Sequence, residues 1–110
     1  MPDIRIQKYK NPIISGYNPD PSICRVGDDF YLVNSTFEFY PGVPVDNSKN
    51  IVNWELINYC LRDKKQLYLD GVRPSGGIYA PMLCYHNGEF FMTTTNVSHK
   101  GQLIVHTSDI

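Results

Sequence analysis

The segment Asn18-Pro19-Asp20-Pro21-Ser22 places one carboxylate between two prolines, directly before an apolar stretch. A proline disfavours helical backbone for the residue before it and has no N–H to donate, so we expect Asn18 and Asp20 to be extended. Such a stiff lead-in would hold the Asp20 carboxylate at the entrance of a strand at little further cost in entropy. On its own, the pentapeptide is more typical of a surface turn, because Asn, Pro, Asp and Ser are the usual turn residues.

The elements that must position this carboxylate read as β-strands, because apolar and aromatic runs alternate with turn residues. No segment has a helical period over more than two turns. Strands are predicted over residues 22–26, 30–36, 45–50, 54–61, 78–85, 90–96 and 102–107. Pro41-Gly42-Val43-Pro44 is expected to break the chain, and His86-Asn87-Gly88-Glu89 to form a hairpin turn.

A shift of sixty residues superimposes the second half of the chain on the first without a gap. The matched pairs are Pro21/Pro81, Ile23/Leu83, Cys24/Cys84, Phe30/Phe90, Tyr31/Phe91, Ser35/Thr95 and Ser48/Ser108. A β-repeat of this length suits a propeller blade, which needs about four short strands plus loops. The repeat predicts an all-β fold and one domain over residues 1–110, with blade one over about 18–62 and a partial blade two over about 76–110.

About one and three-quarter blades cannot close a ring, so we expect apolar faces and strand edges to remain open. The chain would then be part of a larger propeller, or need one. A self-contained β-domain of two sheets is the alternative, in which the repeat is accidental.

Composition narrows the classes of partner. Apolar residues make up 42% and charged residues 19%, which is typical of a folded soluble protein, and the net charge is −1. That charge gives no case for nucleic acid or an anionic membrane as partner. Residues 1–10 have no apolar signal-peptide core, and the three cysteines are expected to be buried reduced thiols, so a cytoplasmic location is predicted. The histidines are scattered, so neither a metal site nor a cofactor is predicted.

In a propeller the innermost strands line the axis, and their entrances face one concave pocket. Asp20 would lie at that entrance in blade one, and Ala80 at the equivalent place in blade two. Gly76 and Gly77 allow a close approach of backbones, which would bring the Tyr79 ring beside the axis. An aromatic loop over residues 35–42 is a further contributor. A carboxylate among aromatic rings is typical of a site that binds carbohydrate, because sugar C–H faces stack on the rings.

Six motifs in this order resemble glycoside hydrolase family 43, in particular its bacterial β-xylosidases and α-L-arabinofuranosidases. They are Asn11-Pro12-Ile13, Gly16-Tyr17-Asn18-Pro19-Asp20-Pro21-Ser22-Ile23, Gly27-Asp28-Asp29-Phe30-Tyr31, Ser35-Thr36-Phe37-Glu38, Pro41-Gly42-Val43 and Gly76-Gly77-Ile78-Tyr79-Ala80-Pro81. The resemblance implies a five-bladed β-propeller and hydrolysis of xylo-oligosaccharides or arabinosides with inversion. It implies Asp20 as the general base, with Phe37, Tyr79, Ala80 and Pro81 at the sugar.

The chain departs from the family pattern in two ways. The family's general acid is a glutamate, tuned by a further aspartate, and both lie on later blades, whereas Glu38, Glu55 and Glu89 stand in other motifs. The expected partner is therefore the missing C-terminal propeller blades, and we expect no hydrolysis by the 110 residues alone. Tyr79 stands where the nearest xylosidases usually carry tryptophan, so the resemblance does not fix the sugar preference. The alternative function is a non-catalytic carbohydrate-binding or β-edge interaction module.

Overall fold

The computed structural model describes residues 8–99 and 101–110, which form seven strands in two antiparallel sheets. The strands are β1 (Ser22–Val26), β2 (Asp29–Val33), β3 (Gly42–Ser48), β4 (Glu55–Leu61), β5 (Ile78–His86), β6 (Glu89–Asn96) and β7 (Gly101–Thr107). Each sheet is a meander, with strand orders β1-β2-β3-β4 and β5-β6-β7. The all-β prediction is confirmed. Over the described ranges no helix is long and apolar enough to cross a bilayer. The prediction for residues 1–10 falls mostly on residues 1–7, outside the described part.

The predicted repeat is present in the first hairpin of each sheet. Cys24 pairs with Tyr31 in the first sheet, and Cys84 pairs with Phe91 in the second, an offset of sixty on both strands. Hairpin turns follow β1 at Gly27-Asp28 and β5 at Asn87-Gly88, the second of them as predicted. Equivalent strands therefore occupy equivalent places in the two sheets.

The repeat slips by one residue at the third strand of each sheet. Phe30 pairs with Ser48 in the first sheet, whereas Phe90 pairs with Thr107 in the second. The predicted equivalence of Ser48 and Ser108 is therefore wrong. The second sheet has one residue fewer between these paired positions, so the register cannot be kept through the loop.

Strand β3 begins earlier than predicted, because Pro41-Gly42-Val43-Pro44 does not end the β-structure. Pro44 lies within β3 and pairs only with β4, through Tyr59, so its missing N–H removes no bond to β2. The Val43 N–H donates to Thr36 Oγ1 at 3.2 Å and secures the start of the strand. At the other end, Ser48 Oγ accepts the backbone N–H groups of residues 50 and 51, which turns the chain away before Asn50.

The core lies between the two sheets, where β1 and β5 pack side by side. Its buried members are Val33, Val43, Val45, Leu61, Leu67, Ile78, Leu83, Phe90 and Met92. The Leu83 N–H donates to Ser22 Oγ at 3.3 Å and joins the two inner strands. Equivalent side chains differ in burial, since Leu83 is 4% exposed and Ile23 is 55% exposed. One face of β5 is thus covered by the first sheet, while the same face of β1 is open.

The prediction of buried cysteines is wrong for Cys84, which is exposed, and too strong for Cys24 and Cys60, which are half-buried. The apolar neighbours of Cys84 in the sequence do not bury it, because strand neighbours point to opposite faces of a sheet. Leu83 points into the core, so Cys84 points away from it.

Candidate active site

Asp20 lies directly before β1, with its side chain exposed and its backbone in the left-handed region at φ 53°. The predicted extended backbone is therefore wrong at this residue. Aspartate tolerates the left-handed region better than most residues, and hydrogen bonds hold it there. The Ser35 N–H donates to the Pro19 carbonyl at 3.0 Å, and Ser35 Oγ donates to Asp20 Oδ2 at 2.8 Å.

Ala80 occupies the equivalent position before Pro81 in β5, and its backbone is also left-handed, at φ 37°. The register of β5 against β6 shifts between Tyr79 and Met82, so Ala80 sits in a bulge. A bulge re-aims the groups of a strand, and here the Ala80 N–H donates to Ser35 Oγ at 2.6 Å. Ala80 is exposed, and Pro81 beside it is buried.

A pair of backbone hydrogen bonds with Ile78 holds Phe37 against the second sheet. The Phe37 N–H donates to the Ile78 carbonyl and the Ile78 N–H to the Phe37 carbonyl, each at 3.0 Å. Gly77 makes this approach possible, because a Cβ on Gly77 would lie 2.6 Å from the Phe37 carbonyl carbon. Gly77 also has φ 79°, and Phe37 itself is left-handed at φ 52°. The predicted role of the Gly76-Gly77 pair in close backbone approach is thus present at Gly77.

Three aromatic rings surround this junction. The Phe37 and Tyr79 rings meet edge to face, with centroids 5.6 Å apart, and the Tyr17 ring stacks on Phe37 with centroids 6.2 Å apart. Tyr79 Oη donates to the Ser75 carbonyl at 2.6 Å, which fixes the direction of its ring. Phe37 and Tyr79 are half-buried, and the Tyr17 side chain is 79% exposed. Aromatic faces of this kind can stack on apolar faces of a ligand.

The structure therefore brings Asp20, Phe37, Tyr79 and Ala80 to one junction between the sheets, with Pro81 behind it. Sequence reasoning did not single out Ser35 or Tyr17. Ser35 stands in the quoted Ser35-Thr36-Phe37-Glu38 motif, and Tyr17 in the opening motif, but neither residue type is distinctive by itself. The contacts that give them a place in the site, to Asp20 and Phe37, span 15 and 20 residues.

The glutamates of the chain have other contacts, as expected from their motifs. Glu38 Oε2 accepts the Ser75 N–H at 3.0 Å, and so fastens the loop before β5. Glu89 lies 3.5 Å from His106 in the second sheet, and Glu55 is exposed in β4. Over residues 8–99 and 101–110 no three His, Cys, Asp or Glu side chains are grouped as they would be around a metal ion.

Two adjacent meander sheets, whose first strands pack side by side, define this chain as part of a β-propeller. A family model also matches the chain: the model described as "Glycosyl hydrolases family 43" covers residues 9–109. The chain belongs to glycoside hydrolase family 43, and its solved structural neighbours are five-bladed β-propeller enzymes.

Relatives with names support this family assignment. The chain is 56% identical over 94 residues to the "Non-reducing end alpha-L-arabinofuranosidase BoGH43B" of Bacteroides ovatus, covering 84% of this chain and 18% of that protein. It is 48% identical over 90 residues to a "Beta-xylosidase" of Bacillus subtilis, covering 82% of this chain and 17% of that protein.

Solved structures give the same result. The structure titled "Bacteroides ovatus Xyloglucan PUL GH43B" matches with a TM-score of 0.88 and 50% identity, over 92% of this chain and 21% of the other. A xylan beta-1,4-xylosidase from Bacillus halodurans matches with a TM-score of 0.88 and 39% identity, over 94% and 21%. The chain thus spans about a fifth of the length of the proteins it matches.

Proposed function

We propose that the complete protein is an inverting glycoside hydrolase that removes terminal xylosyl or arabinosyl residues, with Asp20 as its general base. The observation that carries the proposal is the Asp20 carboxylate, held by Ser35 at the junction of the two sheets where the Phe37 and Tyr79 rings also meet. Membership of family 43 supports it. Relatives named as β-xylosidase and α-L-arabinofuranosidase give the substrate class, xylo-oligosaccharides or arabinosides.

In an inverting reaction, the Asp20 carboxylate takes a proton from water while that water attacks the anomeric carbon. A carboxylic acid on the opposite side of the sugar protonates the leaving oxygen, and the two groups stand about 6.5–9.5 Å apart to admit the water. Phe37 and Tyr79 would stack on the sugar, and Ala80 and Pro81 would close one wall. Glu38 binds the Ser75 N–H and Glu89 lies beside His106, so neither is placed as the general acid. The general acid would then belong to the further blades of the complete protein.

The proposal can be tested in a chimera in which residues 9–109 replace the matching segment of the Bacteroides ovatus relative. We expect it to release 4-nitrophenol from a β-D-xyloside or an α-L-arabinofuranoside, with the anomeric configuration inverted in the first product detected by NMR. Asp20→Asn should lower kcat by roughly 10²–10⁴-fold, the usual contribution of a general base. Asp70→Asn, in an exposed loop, is the control. A folded chimera with retained configuration, or with full activity in Asp20→Asn, would contradict the proposal.

The 110 residues by themselves are expected to be inactive, because no carboxylate within residues 8–99 and 101–110 is placed as the general acid. The purified chain should release no 4-nitrophenol from the same xyloside above the rate of the buffer. Turnover that disappears in Asp20→Asn would refute this expectation.

A second candidate function is carbohydrate binding without catalysis. The exposed Tyr17 ring favours it, because this ring extends the aromatic surface of Phe37 beyond the carboxylate. Titration of the chain with xylo-oligosaccharides, followed by tyrosine fluorescence, separates the two functions. Saturable binding that survives Asp20→Ala, together with a folded but inactive chimera, would favour binding over hydrolysis.

A further inference from the structure

Ser35 is the residue through which the Asp20 carboxylate is tied to both sheets. It follows β2 and is only 3% exposed, and its backbone N–H donates to the Pro19 carbonyl at 3.0 Å. Its hydroxyl lies between two groups that come from far along the chain. Asp20 Oδ2 is 2.8 Å away across 15 residues, and the Ala80 N–H is 2.6 Å away across 45 residues.

The direction of these two bonds is fixed by the groups that make them. A backbone N–H can only donate, so the Ser35 oxygen must act as the acceptor for Ala80. A serine hydroxyl has one proton, which is then left for the Asp20 carboxylate. The bonds form a chain in which each one polarises the next, so the hydrogen bond to the carboxylate is strengthened by the N–H of the other sheet.

The arrangement leaves one oxygen of the carboxylate available. Oδ2 is held by Ser35, and Oδ1 accepts no hydrogen bond from the described residues, 8–99 and 101–110. Asp20 is exposed, so solvent can reach Oδ1. Asp20 and Ala80 both have left-handed backbones, at φ 53° and 37°, and such geometry persists only where the surroundings enforce it.

We propose that Ser35 is a positioning residue that aims Asp20 Oδ1 at the attacking water by fixing Oδ2. The inference rests on the proposed function, since a carboxylate needs to be aimed only if it takes a proton. A rotation of the carboxylate by one rotamer would move Oδ1 by more than the tolerance of a reacting geometry, where a displacement of about 1 Å can cost roughly 100-fold in rate.

The chimera described above provides the test, with Ser35→Ala and Ser35→Thr. Ser35→Ala should lower kcat by roughly 10- to 100-fold and change KM by less than about threefold, because the sugar contacts remain. Ser35→Thr keeps the hydroxyl and should recover most of kcat. If Ser35→Ala does not fold, Ser35→Cys replaces it, since a thiol is a much weaker donor.

Ser98 offers a matched control. Its Oγ accepts the Gly77 N–H at 3.0 Å, so it is also a serine that ties a backbone N–H at the entrance of β5, but it does not bond to a carboxylate. Ser98→Ala should leave kcat within about threefold of the unsubstituted chimera. An equal loss of kcat in Ser98→Ala and Ser35→Ala would overturn the proposal, because Ser35 would then support only the fold.

A double substitution separates the positioning role from additive damage. If Ser35 acts through Asp20, Ser35→Ala should cause no further loss of kcat in an Asp20→Asn background. A full additional loss in that background would overturn the proposal. A folded, unsubstituted chimera without activity would instead refute the proposed function itself, so the two failures are distinguishable.

Discussion

The three cysteines differ in the exposure of their side chains to solvent, and burial raises the thiol pKa of two of them. Burial raises the pKa of the Cys60 thiol to about 12, and burial together with the neighbouring Cys84 raises the pKa of Cys24. Cys84 is exposed. Because the thiolate is the species that reacts with alkylating agents, these environments should separate the three residues chemically.

We expect iodoacetamide at pH 8 to modify Cys84 first, Cys24 more slowly and Cys60 last. The rates are measured by mass spectrometry of the three peptides after timed quenching. In denaturant the three rates should become similar, because the burial is lost. Alkylation of Cys60 as fast as Cys84 in the folded chain would contradict the structure at β4.

Asp46 in β3 is a half-buried carboxylate whose pKa is raised by burial. A raised pKa means that the folded chain holds the Asp46 proton more tightly than the unfolded chain does. This contribution to stability is complete below the unfolded value, near 3.8, and is lost as pH rises through the folded pKa.

Asp46→Asn should therefore raise the thermal unfolding midpoint at pH 7 and have little effect at pH 3. The midpoint is followed by circular dichroism at both pH values. Asp70→Asn, at an exposed loop position, is the control and should change neither midpoint. A fall in the midpoint at pH 7 would show that the Asp46 charge is favourable in the fold.

For the single residue Asp20, the sequence predicted its position at a strand entrance but not the left-handed conformation of its backbone. The two prolines mark a strand entrance through local geometry alone, and that prediction holds. The left-handed φ depends on Ser35 and Ala80, 15 and 60 residues along the chain, so local preferences could not reveal it. The same limit applies to Ser35, whose type is common and whose partners are distant.

At the scale of elements, the entrance of β5 depends on Gly77. A Cβ there would meet the backbone of Phe37, and the residue has φ 79°. Gly71 has a similar φ of 71°, but a Cβ there would meet nothing within 4 Å. The two glycines therefore separate the effect of backbone strain from that of a steric clash.

Gly77→Ala should destabilise the fold by about 2–4 kcal/mol, because it adds overpacking to strain. Gly71→Ala should cost about 1 kcal/mol, from strain alone. The free energies of unfolding are measured in urea. Equal costs for the two variants would mean that the Phe37 loop moves aside freely, and that the junction of the two sheets is loose.

Strand positions were predicted well where the local sequence pattern determines them, and less well where pairing with a distant strand determines them. The β5–β6 hairpin follows from Asn87-Gly88 between two apolar runs. The start of β3 was missed because Pro44 looks like a strand breaker until its position is known. It pairs only with β4, and this pairing cannot be read from the neighbouring residues.

At the scale of the whole molecule, one face of each sheet carries an exposed apolar side chain on its first strand. Ile23 on β1 is 55% exposed and Met82 on β5 is 61% exposed, and they point to opposite sides of the two packed strands. Within a closed ring of blades, both faces would be covered. Two apolar side chains this exposed on a sheet are the kind of surface that mediates contact between protein segments.

Ile23→Lys should destabilise the folded chimera by roughly 1–2 kcal/mol and have little effect on the 110-residue chain, because a closed ring would bury only the exposed 55% of a side chain whose full burial is worth about 1.5–3 kcal/mol. Unfolding in urea measures both. Asn53→Lys, at an exposed loop position, should be neutral in each. An equal effect of Ile23→Lys in the two proteins would show that this face stays open in the ring.

The repeat of sixty residues was enough to predict a propeller, because equivalent hairpins recur in a fixed register. The number of five blades followed only from the family resemblance, since two repeats do not determine how many close a ring. The unequal burial of Ile23 and Leu83 was also beyond the sequence. Both are aliphatic residues at equivalent strand positions, and they differ only in that the first sheet covers Leu83 whereas no sheet of the described residues covers Ile23.

The bond between Ser35 and Ala80 also sets an order of events on the ribosome. Asp20 and Ser35 emerge together with the first sheet, whose strands pair with near neighbours and can form as they are synthesised. The Ala80 N–H that completes the arrangement is made 45 residues later. The first sheet can therefore form before the Ser35 hydroxyl gains its second partner, and under the proposed function a pause in translation between these two points would leave the Asp20 carboxylate without its complete hydrogen-bond chain.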